Sequence, residues 1–186
     1  MASTLSSDDE NFIDEVIRQV YNSNDSSSSF VLSDNIVFRL IRLTMQKLLQ
    51  ENQLIRVDIE RNDTINICGD IHAQFPDLKN IFIELGHPSE TNKFIFLGDY
   101  VDRGRFNLET ICFLFAYKCK YDKSFILLRG NHEVMSVNYG YGFINECRKR
   151  FDNNNSKGTI VWKRFNDCFN ALSVSAVIGN SILVMI

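Results

Sequence analysis

The chain has 186 residues, enough for one ordinary domain with a sizeable core, and its 45% apolar and 23% charged residues are the composition of a globular protein. Acids and bases nearly balance, giving a formal charge of -3, so no basic surface marks the chain for nucleic acid or an anionic membrane, and neither partner is expected. Asp8, Asp9 and Glu10 stand where a secretory signal needs a basic start, and no stretch of about 18 apolar residues occurs. Five cysteines (Cys68, Cys112, Cys119, Cys147 and Cys168) include no C-x-x-C pair, so a reducing location, cytoplasmic or nuclear, is expected. The N-glycosylation patterns at Asn24, Asn62 and Asn154 then read as chance matches.

In chain order, Phe12, Ile13, Val16, Ile17 and Val20 recur at helical spacing before the polar run Asn22–Ser29 interrupts. Residues 1–30 are therefore expected to form a short helix and a serine-rich linker, ahead of one catalytic domain over 31–186. A second helix is expected from about Asp34 to Glu51, with Val37, Leu40, Ile41 and Leu48 on one face and Ser33 or Asp34 capping its start. Three short apolar runs follow, Thr64–Cys68, Phe94–Leu97 and Phe125–Leu128, and each ends in a polar loop containing glycine; they read as buried strands. Between them lie two helices. One has Pro76 in its first turn and Leu78, Ile81, Phe82 and Leu85 on one face; the other carries Leu108, Ile111, Cys112, Phe115 and Cys119. Asp152–Gly158 reads as an exposed insertion, Trp162, Phe165, Phe169 and Leu172 mark another helix, and Gly179-Asn180 reads as a hairpin turn between Ser173–Ile178 and Ile182–Ile186. This alternation predicts an α/β fold.

Ligands of such sheets gather at the carboxyl ends of the strands. The three loops there read Gly69-Asp70-Ile71-His72, Gly98-Asp99-Tyr100-Val101-Asp102-Arg103-Gly104 and Arg129-Gly130-Asn131-His132-Glu133. Carboxylate, imidazole and amide oxygen together suit Mn, Fe or Zn better than calcium. Two divalent ions bridged by a carboxylate would activate water for in-line attack on phosphorus. Asp99 is the natural bridge, Asp70 and His72 join it on the first ion, and Asn131 joins it on the second. His132 is then left to donate a proton to the leaving group, with Asp102 orienting its ring, while the Arg103 fork binds the phosphoryl oxygens. Taken singly, each loop is an ordinary turn, and Asp102 with Arg103 is a surface ion pair worth at most about 1 kcal/mol. Three such loops at three strand ends point to a site. His87, in Gly86-His87-Pro88, reads as a turn residue, and the cysteines read as core, with Cys68 nearest the loops.

These loops, in this order and spacing, resemble the signature of the phosphoprotein phosphatase family of metallophosphoesterases. Phe96–Lys120, Leu127–Arg150 and Trp162–Leu172 extend the likeness, which runs from about Ser33 onward and looks like the type-1 serine/threonine phosphatase catalytic subunit. The resemblance implies a metallophosphoesterase-type β-sandwich flanked by helices and hydrolysis of phosphoserine and phosphothreonine esters. It implies metal ligands at Asp70, His72, Asp99 and Asn131, an acid at His132 paired with Asp102, and phosphate contact by Arg103. Tyr141 matches a tyrosine beside the substrate groove, Arg129 an arginine just before the Gly-Asn-His-Glu turn, and phosphoprotein substrates and regulatory subunits are the implied partners. The sequence departs from the family at Ala73, where a glycine is usual, at Tyr139, where an arginine is usual, and in a loop lengthened by Asn153–Gly158. The family draws two further metal-binding histidines, a second phosphate-binding arginine and more of the sheet from later segments. The expectation is therefore a fold incomplete at the C-terminus, an incomplete second metal site and weak or no activity for this chain alone. A phosphatase-like interaction module without turnover is the rival reading, and an enzyme of nucleotides or small phosphoesters a more distant one.

Overall fold

The computed structural model describes residues 5–23, 32–152 and 156–186. Helix α1 (Ser7–Tyr21) starts where the Ser6 hydroxyl accepts the Asp9 N–H, has three acids in its first turn and buries Ile13, Val16 and Val20. In α2 (Asp34–Leu48) the cap differs from expectation. Ser33 holds the cap position without a side-chain bond, and Asp34 pairs instead with Lys157 at 2.7 Å. Most of the polar run Asn22–Ser29, the boundary at residues 30 and 31, Asn24 and the middle of the Asp152–Gly158 insertion with Asn154 lie outside the described residues.

Strands β2 (Thr64–Cys68), β3 (Asn92–Phe96) and β4 (Phe125–Leu127) form a parallel sheet in that order, with Cys68 opposite Phe96 and Phe96 opposite Leu127. A second sheet joins β1 (Leu54–Val57) in parallel to β5 (Ser175–Ile178), which turns at Gly179, φ +55°, into antiparallel β6 (Ile182–Val184). Just past β4, Leu128 pairs with Ser173 and links the two sheets. Alternation along the strands divides the apolar residues. Ile95, Ile126 and Leu128 meet Val57, Ala176 and Ile178 between the sheets, whereas Phe94, Phe96, Phe125 and Leu127 enter the core with the helices. β3 and β4, covered on both faces, read as continuous apolar runs, whereas β2, expected to be buried, lies at the edge of its sheet and buries only Cys68, with Ile67 48% exposed.

The helical layer comprises α1, α2, α3 (Phe75–Leu85), α4 (Asn107–Lys120) and α6 (Phe143–Phe151) with α7 (Lys157–Phe169); the single turn α5 (Met135–Asn138) leads into α6. Expected to bury one face, α4 is instead buried all round from Asn107 to Cys119, because α1, α2, α3 and α6 surround it above β4. The result is the α/β sandwich flanked by helices. Among the described residues no helix is long and apolar enough to cross a membrane.

Candidate functional site

Because β2, β3 and β4 run parallel, the loops after them leave the sheet at one end. Backbone bonds lock the first loop onto the second: the Ile71 and His72 N–H groups both donate to Asp99 O, and the Ala73 N–H donates to Tyr100 O at 2.8 Å. The third loop lies so close to the second that a β-carbon on Gly98 would collide with the Gly130 backbone, and one on Gly130 with Asp99. Glycine is required at both positions.

Glu133, the last residue of the third loop, is the clamp. Fully buried, its carboxyl accepts N–H bonds from Asp99 (2.8 Å), Tyr100 (2.9 Å) and Gly130 (3.0 Å), and burial pushes its pKa up to about 7. Tyr100 adds a hydroxyl bond to Leu128 O at 2.6 Å. So held, the loops contain five of the six described non-glycine residues at positive φ: His72, Ala73, Asp99, Asp102 and Arg103. Strain of this kind persists only where the surroundings over-determine it, and it clusters at functional sites.

One ligand atom each from His72, Asp99 and His132 falls within 4.8 Å of the others. The His72 Nδ1 sits 3.0 Å from Val101 O, a pure acceptor, so Nδ1 carries the proton and the Nε2 lone pair is free. That Nε2 lies 3.7 Å from Asp70 Oδ2 and 4.0 Å from Asp99 Oδ2. The Asp70 side chain is 54% exposed at the edge of the cluster, and Asn131, also exposed, opens the short 3₁₀ turn that carries His132. The His132 N–H donates to Asp99 Oδ1 at 2.9 Å, fixing that carboxylate from the third loop. A donor set of imidazole and carboxylates with a free lone pair fits a divalent transition metal.

Asp102 and His132 meet in the buried interior of the site, Nδ1 to Oδ2 at 2.8 Å, and the second carboxylate oxygen of Asp102 accepts the Phe143 N–H. The other His132 nitrogen lies 3.5 Å from Arg103 Nη2. Tyr141, 58% exposed, stands edge-on to the His132 ring at 5.2 Å, and its carbonyl accepts the Arg103 N–H. Arg129 turns elsewhere, donating to Glu133 O and to Asn170 Oδ1 at 2.6 Å. Tyr139 stacks edge-on with Trp162. Cys68 is core, its thiol pushed up to about 11 by burial, and His87 bonds the Tyr117 hydroxyl away from the site.

Residues 64–186 match the calcineurin-like phosphoesterase family. The chain is similar to a protein serine/threonine phosphatase from Saccharomyces cerevisiae with similarity to human phosphatase PP5, at 29% identity and a TM-score of 0.83. That likeness covers 92% of this chain and 53% of the yeast protein, so the chain spans about half the length of that phosphatase. A putative diadenosine tetraphosphatase is similar at 13% identity and a TM-score of 0.43 over 67% of this chain and 49% of the other, a level that says nothing of substrate. The strand-end loops that gather the donors all fall inside the matched segment, and the chain belongs to the calcineurin-like phosphoesterase family, whose members bind divalent metal.

Proposed function

We propose that this protein is a serine/threonine protein phosphatase that removes phosphate from phosphoserine and phosphothreonine side chains by metal-assisted attack of water. The observation that carries the reading is the convergence of three parallel strand ends on one cluster of imidazoles and carboxylates, in a chain whose fold is similar to about half of a protein serine/threonine phosphatase. Asp70, His72 and Asp99 would hold the first ion, and Asn131 would share Asp99 with the second. Bound there, divalent ions supply Lewis-acid polarisation of the phosphoryl group and a water of lowered pKa. Manganese is the proposed metal, with iron or zinc as alternatives of the same donor preference.

His132 also lies within ligand distance of His72 and Asp99, yet its role here is a proton donor rather than a ligand. Its free nitrogen faces the Arg103 guanidinium, a cation that disfavours a metal and favours an oxyanion. Asp102 holds Nδ1–H, so the proton delivered to the leaving serine or threonine oxygen comes from Nε2, and the carboxylate stabilises the imidazolium beforehand. Arg103 binds the phosphoryl oxygens beside it, and Tyr141 flanks the entrance. Phosphoproteins are the proposed substrates and regulatory subunits the proposed partners. Five free, buried cysteines support a reducing location, cytoplasm or nucleus. Neither comparison favours a binding module without turnover.

Phosphate release from a phosphothreonine peptide and from a dinucleotide polyphosphate, with and without Mn²⁺, tests the reading. Weak, metal-dependent release from the peptide is expected of this chain, whose second metal site is expected to be incomplete, and His132→Ala is expected to lower it a further ~10²–10⁴-fold. Release indifferent to metal, or confined to the dinucleotide, would sink it.

A further inference from the structure

We propose that Glu146 on α6 is a positioning residue for the His132–Asp102 pair, acting through Asn107 at the start of α4; the inference rests on the role given to His132 above. Asp102 and Arg103 sit side by side at φ +74° and +66°, a conformation uncommon outside glycine, so contacts from other segments must hold them. The Asp102 N–H donates to Asn107 Oδ1 at 2.5 Å. Asn107 Nδ2 in turn donates to Glu146 Oε2 at 2.7 Å and to Gly104 O at 3.2 Å.

A carboxylate only accepts hydrogen bonds, so Glu146 fixes which way the Asn107 amide faces. With Nδ2 drawn to Glu146, the oxygen must point at Asp102. Glu146 also accepts the backbone N–H groups of Asn107 (3.1 Å) and Leu108 (3.0 Å), capping α4. The cap alone would need only those two bonds. The third, to the Asn107 side chain, continues from α6 through Asn107 and Asp102 to the His132 ring. The Phe143 N–H on Asp102 Oδ1 gives α6 a second, direct hold on the same carboxylate.

Glu146→Ala removes the acceptor that draws Asn107 Nδ2, so nothing on α6 holds the Asn107 oxygen toward Asp102. The expected result is a kcat about tenfold lower with KM changed less than about twofold. The His132 Nδ1 proton, expected to exchange slowly with water in proton NMR of the full wild-type chain, is expected to exchange fast in the variant. Glu146→Gln is the conservative rescue: its amide oxygen can take the Oε2 position and keep both Asn107 donors while its NH2 faces only the Leu108 N–H, so it is expected to recover most of both losses. Asn107→Ala, which keeps the two backbone caps, is expected to reproduce both losses with a smaller fall in melting temperature than Glu146→Ala, and it decides the matter if Glu146→Ala does not fold. Wild-type kcat and wild-type ring-proton exchange in Glu146→Ala and Asn107→Ala would overturn the inference, as would a Glu146→Gln variant no better than Glu146→Ala. If the wild-type chain turned over no phosphoester, the phosphatase reading would fail while the ring-proton arm still decided the positioning.

Discussion

The two ends of the sheet β2–β3–β4 are built from the same kinds of residue and hold their charge in opposite ways. Where the strands begin, acids are matched by lysines. Asp63 pairs with Lys93 at 2.6 Å, and the fully buried Lys118 ammonium bonds Glu51 at 2.5 Å and Asp122 at 3.1 Å, with Lys47 closing on Asp122 at 3.3 Å. Where the strands end, Asp70 and Asp99 converge on His72 with no lysine or arginine within ion-pair distance among the described residues, on a backbone forced to positive φ. Buried charge with a partner ties elements together. Carboxylates gathered without one destabilise the fold by themselves and await a cation, which is how a binding site differs from a brace.

If that division is sound, the largest stability effect belongs to the brace. Lys118→Met takes the shared cation from the partly buried Glu51 and Asp122, of which Asp122 keeps only Lys47, and is expected to cost up to about 3–5 kcal/mol in denaturant unfolding. Mn²⁺ affinity measured by calorimetry on the folded variant should not change. A parallel loss of affinity would show that the two ends are not independent.

Glu109, in the first turn of α4, belongs to neither class. Arg150 approaches only to 3.6 Å, one carboxyl oxygen has no hydrogen-bond partner, and burial lifts the pKa from its ordinary 4.5 to about 7. A raised acid pKa works against the fold as pH rises. Below 4.5 both folded and unfolded chains hold the proton; between 4.5 and about 7 only the folded chain does, so stability falls, and above about 7 the penalty is complete. Glu109→Gln should abolish this component, so that variant minus wild-type stability climbs by about 3 kcal/mol from pH 4.5 to pH 8. A difference that stays flat across that range would mean that Arg150 neutralises the carboxylate and that Glu109 is part of the brace.

At the site end the expected signs are opposed. Asp70→Asn removes one of two facing carboxylates, so the metal-free protein should gain up to about 1 kcal/mol. The same change should weaken Mn²⁺ binding by at least about tenfold. Loss of stability without metal would show that Asp70 is held by the fold rather than for a ligand.

Much of this division is legible in the sequence, and the reason is locality. A strand buried on both faces, a glycine turn and a loop rich in donors are all contiguous, so Asp70, His72, Asp99, Asp102 and His132 can be picked out before any folding is considered. What is not legible depends on contacts between distant segments. Strand β1 pairs with β5 some way along the chain, and Leu54–Val57 carries little pattern of its own. Glu146 sits in a helix with charged residues on its exposed side and reads as one more of them, although its carboxyl is buried against Asn107. Glu133 lies inside a loop read for its chemistry, but its clamp on Asp99, Tyr100 and Gly130 appears only when the loops are brought together.

The smallest effect concerns Ala73, which sits at φ +57°, a conformation that favours glycine. Its methyl group looks like the obvious source of strain in the metal loop. Relief of the left-handed conformation by Ala73→Gly is worth about 1 kcal/mol. Against this, the unfolded chain gains freedom worth about 0.4–1 kcal/mol, and burial of one methyl, about 0.8 kcal/mol, is lost because Ala73 is fully buried. The three effects nearly cancel, so the change in stability should stay within about 1 kcal/mol, with Mn²⁺ affinity altered less than about threefold. The strain then resides in the whole set from His72 to Arg103, held by Glu133 and by the backbone bonds between loops. A clear gain in both stability and affinity for Ala73→Gly would place it instead in one methyl group, and the contrast between the two ends of the sheet would rest on charge alone.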